Sequence, residues 1–218
     1  MLETKDLFDL RYSRAADYLR QFDRPWQALE GIASLIFELG RGLGEDFLEI
    51  SPQVWVHRTA TVAPTAYLGA PCIIGAGTEV RHCAFIRGSA LVGEGCVVGN
   101  SVELKNVILF DHVQVCHFNY VGDSILGYRA HMGAGSVTSN VRADQGDVAI
   151  KNGESRIPTG LWKCGAFIGD YAEVGCNAVL NPGTVLGRCS QVYPTSCVRG
   201  TLPEGHIWKN DGTLVKKV

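Results

Sequence analysis

Stepping by six from Ile50, the chain places an aliphatic residue at Val56, Val62, Leu68, Ile74, Val80, Ile86, Val92, Val98 and Leu104. A step of five reaches Leu109, then Val115 and Val121; a second step of five reaches Leu126, then Met132 and Thr138. The series resumes at Ile168, Val174, Leu180, Leu186, Val192 and Val198. Small residues accompany it, at Ala60, Ala66, Thr78, Ala84 and Ala90 and again at Ala172, Ala178, Thr184, Ser190 and Ser196. Cys72 and Cys96 fall in the same small positions and read as buried hydrophobes. A period of six fits neither an alternating strand nor a helix. It fits a short strand, a tight turn and the next strand, with one large and one small inward side chain per unit. Three units close a triangular coil of about 18 residues, and coils stack at roughly 4.8 Å. The pattern therefore predicts an all-β fold, a parallel β-helix of about seven coils.

Two stretches depart from the series. Residues 1–49 carry helical patterning, in "SRAADYLRQF" and in "DRPWQALEGIASLIFELGRG", and are expected to form an N-terminal helical arm. Asp23 is the expected N-cap of the second helix, Pro25 lies in its first turn, and Gly40 and Gly42 end it. The β-helix is assigned to 50–200, with an inserted loop at about 140–166 where the series is lost, and 201–218 is read as a tail or short cap. A loop that long inside a compact solenoid points to function.

Composition narrows the partners. A formal net charge of -2 offers no basic excess for nucleic acid. No apolar run approaches the roughly 18 residues of a membrane span, and "MLETKDLFDL" lacks the order of a signal peptide, so a cytoplasmic location is expected. Eight cysteines contain no CxxC pair, which argues against a zinc cluster or a disulfide framework.

The repeat register places the polar residues. Arg87 follows rung Ile86 and Lys105 follows rung Leu104, so the two cations stack at one corner of adjacent coils. Like charges so close repel unless an anion lies between them or they splay into water. Tyr120, one coil beyond Glu103, lies beside that corner. His117 stands three residues back on the same wall, in the unusual run "HFNY", and Ala134 lies one coil beyond it. Convergence of His117, Tyr120, Arg87, Lys105 and Glu103 makes His117 a candidate general base beside an anion site.

These residues carry a resemblance. "VGNSVELKNVIL" and "HFNYVGDSILGYRAHMGAGSVTSNVR" resemble the acetyltransferase domain of the bifunctional glucosamine-1-phosphate acetyltransferase/N-acetylglucosamine-1-phosphate uridylyltransferase family. "KCGAFIGD" and "VYPTS" point to its archaeal branch, and "RPWQALE" resembles the helix that joins the family's two domains. The similarity covers about residues 50–200. It implies a left-handed coil, a homotrimer with shared sites, and acetyl-CoA as co-substrate. It implies His117 as the base that takes the amine proton, Asn140 near the reacting acyl group, and Arg87, Lys105 and Tyr120 on the sugar phosphate. Glu103 joins that substrate wall, and coenzyme A would run past Ala134, Cys176 and Pro194.

The sequence departs from the family in three places. The nucleotide-binding loop of the uridylyltransferase part is absent, so pyrophosphorylase activity is not expected. His131 stands where a sugar-binding Asn is usual. Gly146 and Ala149 fill places where the family carries loop lysines, leaving Lys151 as the nearest substitute. Two other readings are open. One is a non-catalytic trimeric scaffold. The other is a metal hydratase resembling γ-class carbonic anhydrases, through His112 and His117 five apart, but Arg-Gly without Asp and the lack of a third matching histidine oppose it. No metal ligand is therefore assigned.

Overall fold

The computed structural model describes residues 2–217. Its strands wind into a left-handed parallel β-helix of about nine turns with three walls. The first wall stacks Val54–His57, Cys72–Ile74, Ala90–Val92, 107–109, 125–126, Ala166–Ile168, Thr184–Leu186 and Thr201–Leu202. The second stacks Thr61–Val62, Glu79–Val80, Val97–Asn100, Gln114–His117, His131–Met132, Glu173–Val174, Gln191–Val192 and His206–Trp208. The third stacks Tyr67–Leu68, Phe85–Ile86, 103–105, 120–122, Val137–Thr138, Val179–Leu180 and Cys197–Val198. From Ile74 to Val198 every rung is buried, and Cys72 and Cys96 are buried free thiols beside them. Each fully buried aliphatic side chain contributes on the order of 1.5–3 kcal/mol, so the repeat itself supplies the core.

Both ends of the coil differ from the sequence-based boundaries. Phe47–Ser51 is a strand, antiparallel to Val54–His57, and the chain reverses through Gln53 at φ 62°. Ile50 therefore lies outside the stack and is 56% exposed, so it is not the first rung. Past residue 200 the coil continues: Leu202 stacks on Leu186 and Trp208 on Val192, before Leu214–Lys216 folds back as an antiparallel cap. These added layers account for the turns beyond the seven expected.

The N-terminal segment forms helices, but short ones. They are Thr4–Leu7, Ala16–Leu19, 3₁₀ turns at Leu10–Tyr12 and Pro25–Gly31, and the helix Ile32–Arg41. Arg24, not Asp23, holds the cap position before Pro25, and its backbone N–H donates to Gln27 Oε1. This segment is bound to the coil rather than free. It covers the first wall, whose outward residues Trp55, Ile73, Leu91, Ile108, Ile125 and Phe167 are all buried. Trp26 packs on Phe167, and Tyr12 stacks on Tyr128 with ring centroids 3.8 Å apart. Buried Asp170 fastens the start of the chain by accepting from the backbone N–H groups of Asp9 and Tyr128. No helix among the described residues is long and apolar enough to cross a membrane.

Gly40 marks the closest approach of the long helix to the coil. A Cβ added there would stand 2.3 Å from the Trp55 ring, whereas one at Gly44 meets nothing within 4 Å. We therefore expect Gly40→Ala to lose roughly 1–3 kcal/mol despite alanine's better helix propensity, and Gly44→Ala to stay within about 0.5 kcal/mol of the parent. Urea midpoints at unchanged slope check this.

Candidate active site

The corner between the second and third walls is turned through left-handed backbone. Cys83, Ser101, Phe118, Gly135, Asn177 and Thr195 stand above one another there, each with positive φ. This explains part of "HFNY": Phe118 is the corner residue at φ 57°, and it is 64% exposed. Asn119 turns inward and is buried. It accepts from the His117 backbone N–H, and its amide donates to the carbonyls of Gly133 and Ser136. That buried amide locks the corner and leaves His117 outside it. The His117 ring is exposed, lies edge-on to Phe118 and is hydrogen-bonded to no described residue.

Just before this corner a column of residues runs along the helix axis. His117 pairs with Asn100, and its carbonyl accepts from Gly135 N–H; the Ala134 carbonyl accepts from Asn177 N–H and that of Cys176 from Thr195 N–H. His117, Ala134, Cys176 and Pro194 thus stack in one line, so the structure aligns the candidate base with the three expected coenzyme A positions. Glu103 pairs with Tyr120 and Leu104 with Val121, as the repeat register required.

The other end of the third wall holds the cations, and there the geometry departs from expectation. The Arg87 and Lys105 side chains share no anion; each takes a carboxylate of its own, and Arg87 remains exposed. Arg87 Nη1 donates to Glu103 Oε1 at 2.8 Å, and Lys105 Nζ lies 3.2 and 3.3 Å from the two Asp123 oxygens. Glu103 therefore partners a cation. Asp123, which the sequence reading missed, is the centre of this corner. It is buried, at φ 48°, and also accepts from Asn106 Nδ2 at 2.9 Å and Asn140 Nδ2 at 2.5 Å. Asn140 Nδ2 donates in addition to the Tyr120 hydroxyl at 3.0 Å. Both amide hydrogens of Asn140 are engaged, so its Oδ1 is the atom left to accept from a substrate. Burial, then the nearby Asp123 charge, push the Tyr120 hydroxyl above its ordinary range, which keeps it a proton donor. Gly122 makes room for that ring: a Cβ there would stand 2.3 Å from the Tyr120 oxygen.

The sequence did carry a signal for Asp123. Each step of five coincides with an unbroken strand, Glu103–Leu109 or Tyr120–Leu126, that turns the corner through one left-handed residue. Those residues are Asn106 and Asp123, the residue types that, after glycine, tolerate this backbone best.

Two expected site residues lie elsewhere. Lys151 sits in the hairpin Ala149–Asn152/Ser155–Pro158 inside the inserted loop. It lines a cavity of about 430 Å³ with Arg142, Arg156, Arg199, Asn181 and Ser139, where Asp144 is the one carboxylate and pairs with Arg142. His131 is on the second wall and bonds to Glu173 and Cys116 rather than joining Tyr120 and Asn140. The histidines of the hydratase reading do not converge either. His112 lies against Tyr128, and no group of three or more His, Cys, Asp or Glu that could hold a metal occurs among the described residues.

If Asp123 organises this corner, Asp123→Ala should leave the half-buried Lys105 and two amides unpartnered and cost about 3 kcal/mol. Equilibrium urea unfolding measures the loss, and Lys105→Met in the same background should recover part of it.

No protein-family model matches the chain. A bifunctional sugar-1-phosphate nucleotidylyltransferase/acetyltransferase of Sulfurisphaera tokodaii is 29% identical over 196 residues, covering 88% of this chain and 49% of that protein. The bifunctional protein GlmU of Methanococcus maripaludis is 28% identical over 204 residues, covering 92% of this chain and 49% of its own length. An uncharacterized acetyltransferase of Escherichia coli K12, YaiX, is 28% identical over 179 residues, covering 74% of each chain. The chain thus spans about half the length of the bifunctional relatives it matches. Its homologues are GlmU-like bifunctional sugar-1-phosphate proteins, matched over their C-terminal acetyltransferase portion.

Proposed function

We propose that the chain transfers the acetyl group of acetyl-CoA to the amine of an amino-sugar phosphate. The observation that carries this reading is the placement of His117. Its uncommitted ring lies at the head of the Ala134–Cys176–Pro194 column and beside the wall that ends in Tyr120, Asn140, Lys105 and Arg87. A thioester laid along the column would bring its carbonyl to the His117 end. The sugar amine attacks that carbonyl, His117 accepts the amine proton, and the thiolate of coenzyme A leaves. Asn140 Oδ1 orients the acceptor, and the Tyr120 hydroxyl donates to the phosphate.

Arg87 and Lys105 complete the phosphate contact while keeping their carboxylates, since one guanidinium N–H is engaged with Glu103 and the ammonium has three donors. A phosphate there meets a corner already neutralised by Glu103 and Asp123. Its affinity is correspondingly modest and sensitive to salt. The basic cavity around Lys151 supplies further positive charge along the same corner.

The active assembly we propose is a homotrimer with parallel axes. One column of small side chains cannot enclose coenzyme A, and the third wall presents exposed Tyr67 and Phe85, packed edge to face at 5.6 Å. A neighbouring subunit would cover them and close the cleft.

Replacing His117 with alanine should lower turnover by about 10²–10⁴-fold and leave coenzyme A affinity nearly unchanged; an unaltered rate on every accepted sugar removes it from the reaction. Lys105→Ala should weaken a phosphorylated sugar by about 1–3 kcal/mol and hardly affect its unphosphorylated form. Calorimetry with the two ligands distinguishes a phosphate contact from a general loss. A stable monomer in sedimentation at micromolar protein would rule out the shared cleft.

A further inference from the structure

On the second wall His131 is held between two partners. Its Nδ1 lies 2.8 Å from Glu173 Oε2, and its Nε2 lies 3.0 Å from Cys116 Sγ. Glu173 stacks directly beyond His131, and Cys116 lies one coil before it, the residue preceding His117. With the Nδ1 proton donated to the carboxylate, Nε2 is free to accept from the thiol. This tautomer is assigned from the hydrogen-bond pattern. The arrangement is that of a nucleophile, a base and a group that orients the base. The thiol is accessible as well. Gly99 and Gly133 stand directly before and after Cys116 in its column, so neither of these neighbours sets a side chain against it, and the residue is only part-buried.

Resting on the acetyl-CoA reading above, we propose that Cys116, His131 and Glu173 form a second reactive site that accepts the acyl group of a thioester on sulfur. Cys116 S–H gives its proton to His131 Nε2 as the sulfur attacks the thioester carbonyl. The tetrahedral intermediate then expels the coenzyme A thiolate, which takes the proton back from His131. One C–S bond forms and one breaks, so the products are acetyl-Cys116 and free coenzyme A, with no change of oxidation state. Glu173 holds the imidazole in the accepting tautomer and steadies its charged form.

Burial holds the Cys116 thiol above its ordinary range while the Arg81 charge pulls the other way. The resting thiol is therefore protonated, and the base is required. The position of Cys116 beside His117 places the acyl group next to the amine site. This assigns His131, which does not reach the sugar-phosphate corner, a task on its own wall.

The test uses the full chain and acetyl-CoA with no sugar present. Peptide mass analysis after an acid quench should find one acetyl group, on Cys116, removable by hydroxylamine, with an equal amount of coenzyme A released. Cys116→Ser should abolish it. His131→Gln should slow labelling about 10²-fold or more, and Glu173→Gln should slow it less. An unlabelled Cys116 overturns the proposal. So does equal labelling of the exposed Cys83, Cys176, Cys189 and Cys197, or wild-type labelling in His131→Gln. Turnover with an amino-sugar phosphate is measured separately. Turnover without acetyl-Cys116 overturns the thiol site and leaves the proposed function standing. Acetyl-Cys116 in a protein that acetylates no amino-sugar phosphate supports the thiol site and overturns that function.

Discussion

The structure depends on one constraint, the stacking of an inward rung on the rung one coil earlier. Parallel strands pair at roughly 4.8 Å, so a buried aliphatic side chain must meet another at that spacing all along the axis. From Ile74 to Val198 no rung is missed. Because the spacing fixes both height and direction, any residue at a given offset from a rung is forced into line with its equivalents. The His117–Ala134–Cys176–Pro194 column and the Arg87–Lys105 pair are consequences of that stacking.

The corners convert this regularity into chemistry. A coil must turn three times, and many turns here use one residue in left-handed backbone. At most corners that residue is exposed and its identity matters little, as with Ser101 or Thr195. Where the repeat shortens to five, the corner residue is Asn106 or Asp123, and neither is exposed. Asp123 then becomes a buried carboxylate that needs donors, and Lys105, Asn106 and Asn140 supply them. The resulting network fixes the Asn140 amide and, through it, the Tyr120 hydroxyl. The same carboxylate weakens the cationic corner as an anion site, a cost of holding Asn140 in place.

The flanking segments complete the coil instead of hanging from it. The first wall is apolar on its outer face as well as its inner one, so it cannot stand in water, and residues 4–41 cover much of it. The inserted loop forms its own hairpin and packs Val148 and Ile150 against the space left by Gly183. Thus the first wall is closed, and the candidate site lies on the second and third walls. There, the glycines before and after Cys116 along the axis carry no side chain.

The sequence alone determined the β-helix, the register between coils and the lines on which Arg87, Lys105, Glu103, Tyr120, His117 and Ala134 stand. It could do so because a fixed repeat turns sequence separation into distance. It placed the ends of the coil less well, since Ile50 fits the period yet belongs to an antiparallel strand that the period cannot distinguish. Side-chain partners were decided only by tertiary structure. Register puts Arg87 beside Lys105 but does not say which carboxylate each will meet, because long side chains reach across coils and corners. For the same reason His131, aligned in sequence with a sugar-binding position, is found in space between Glu173 and Cys116.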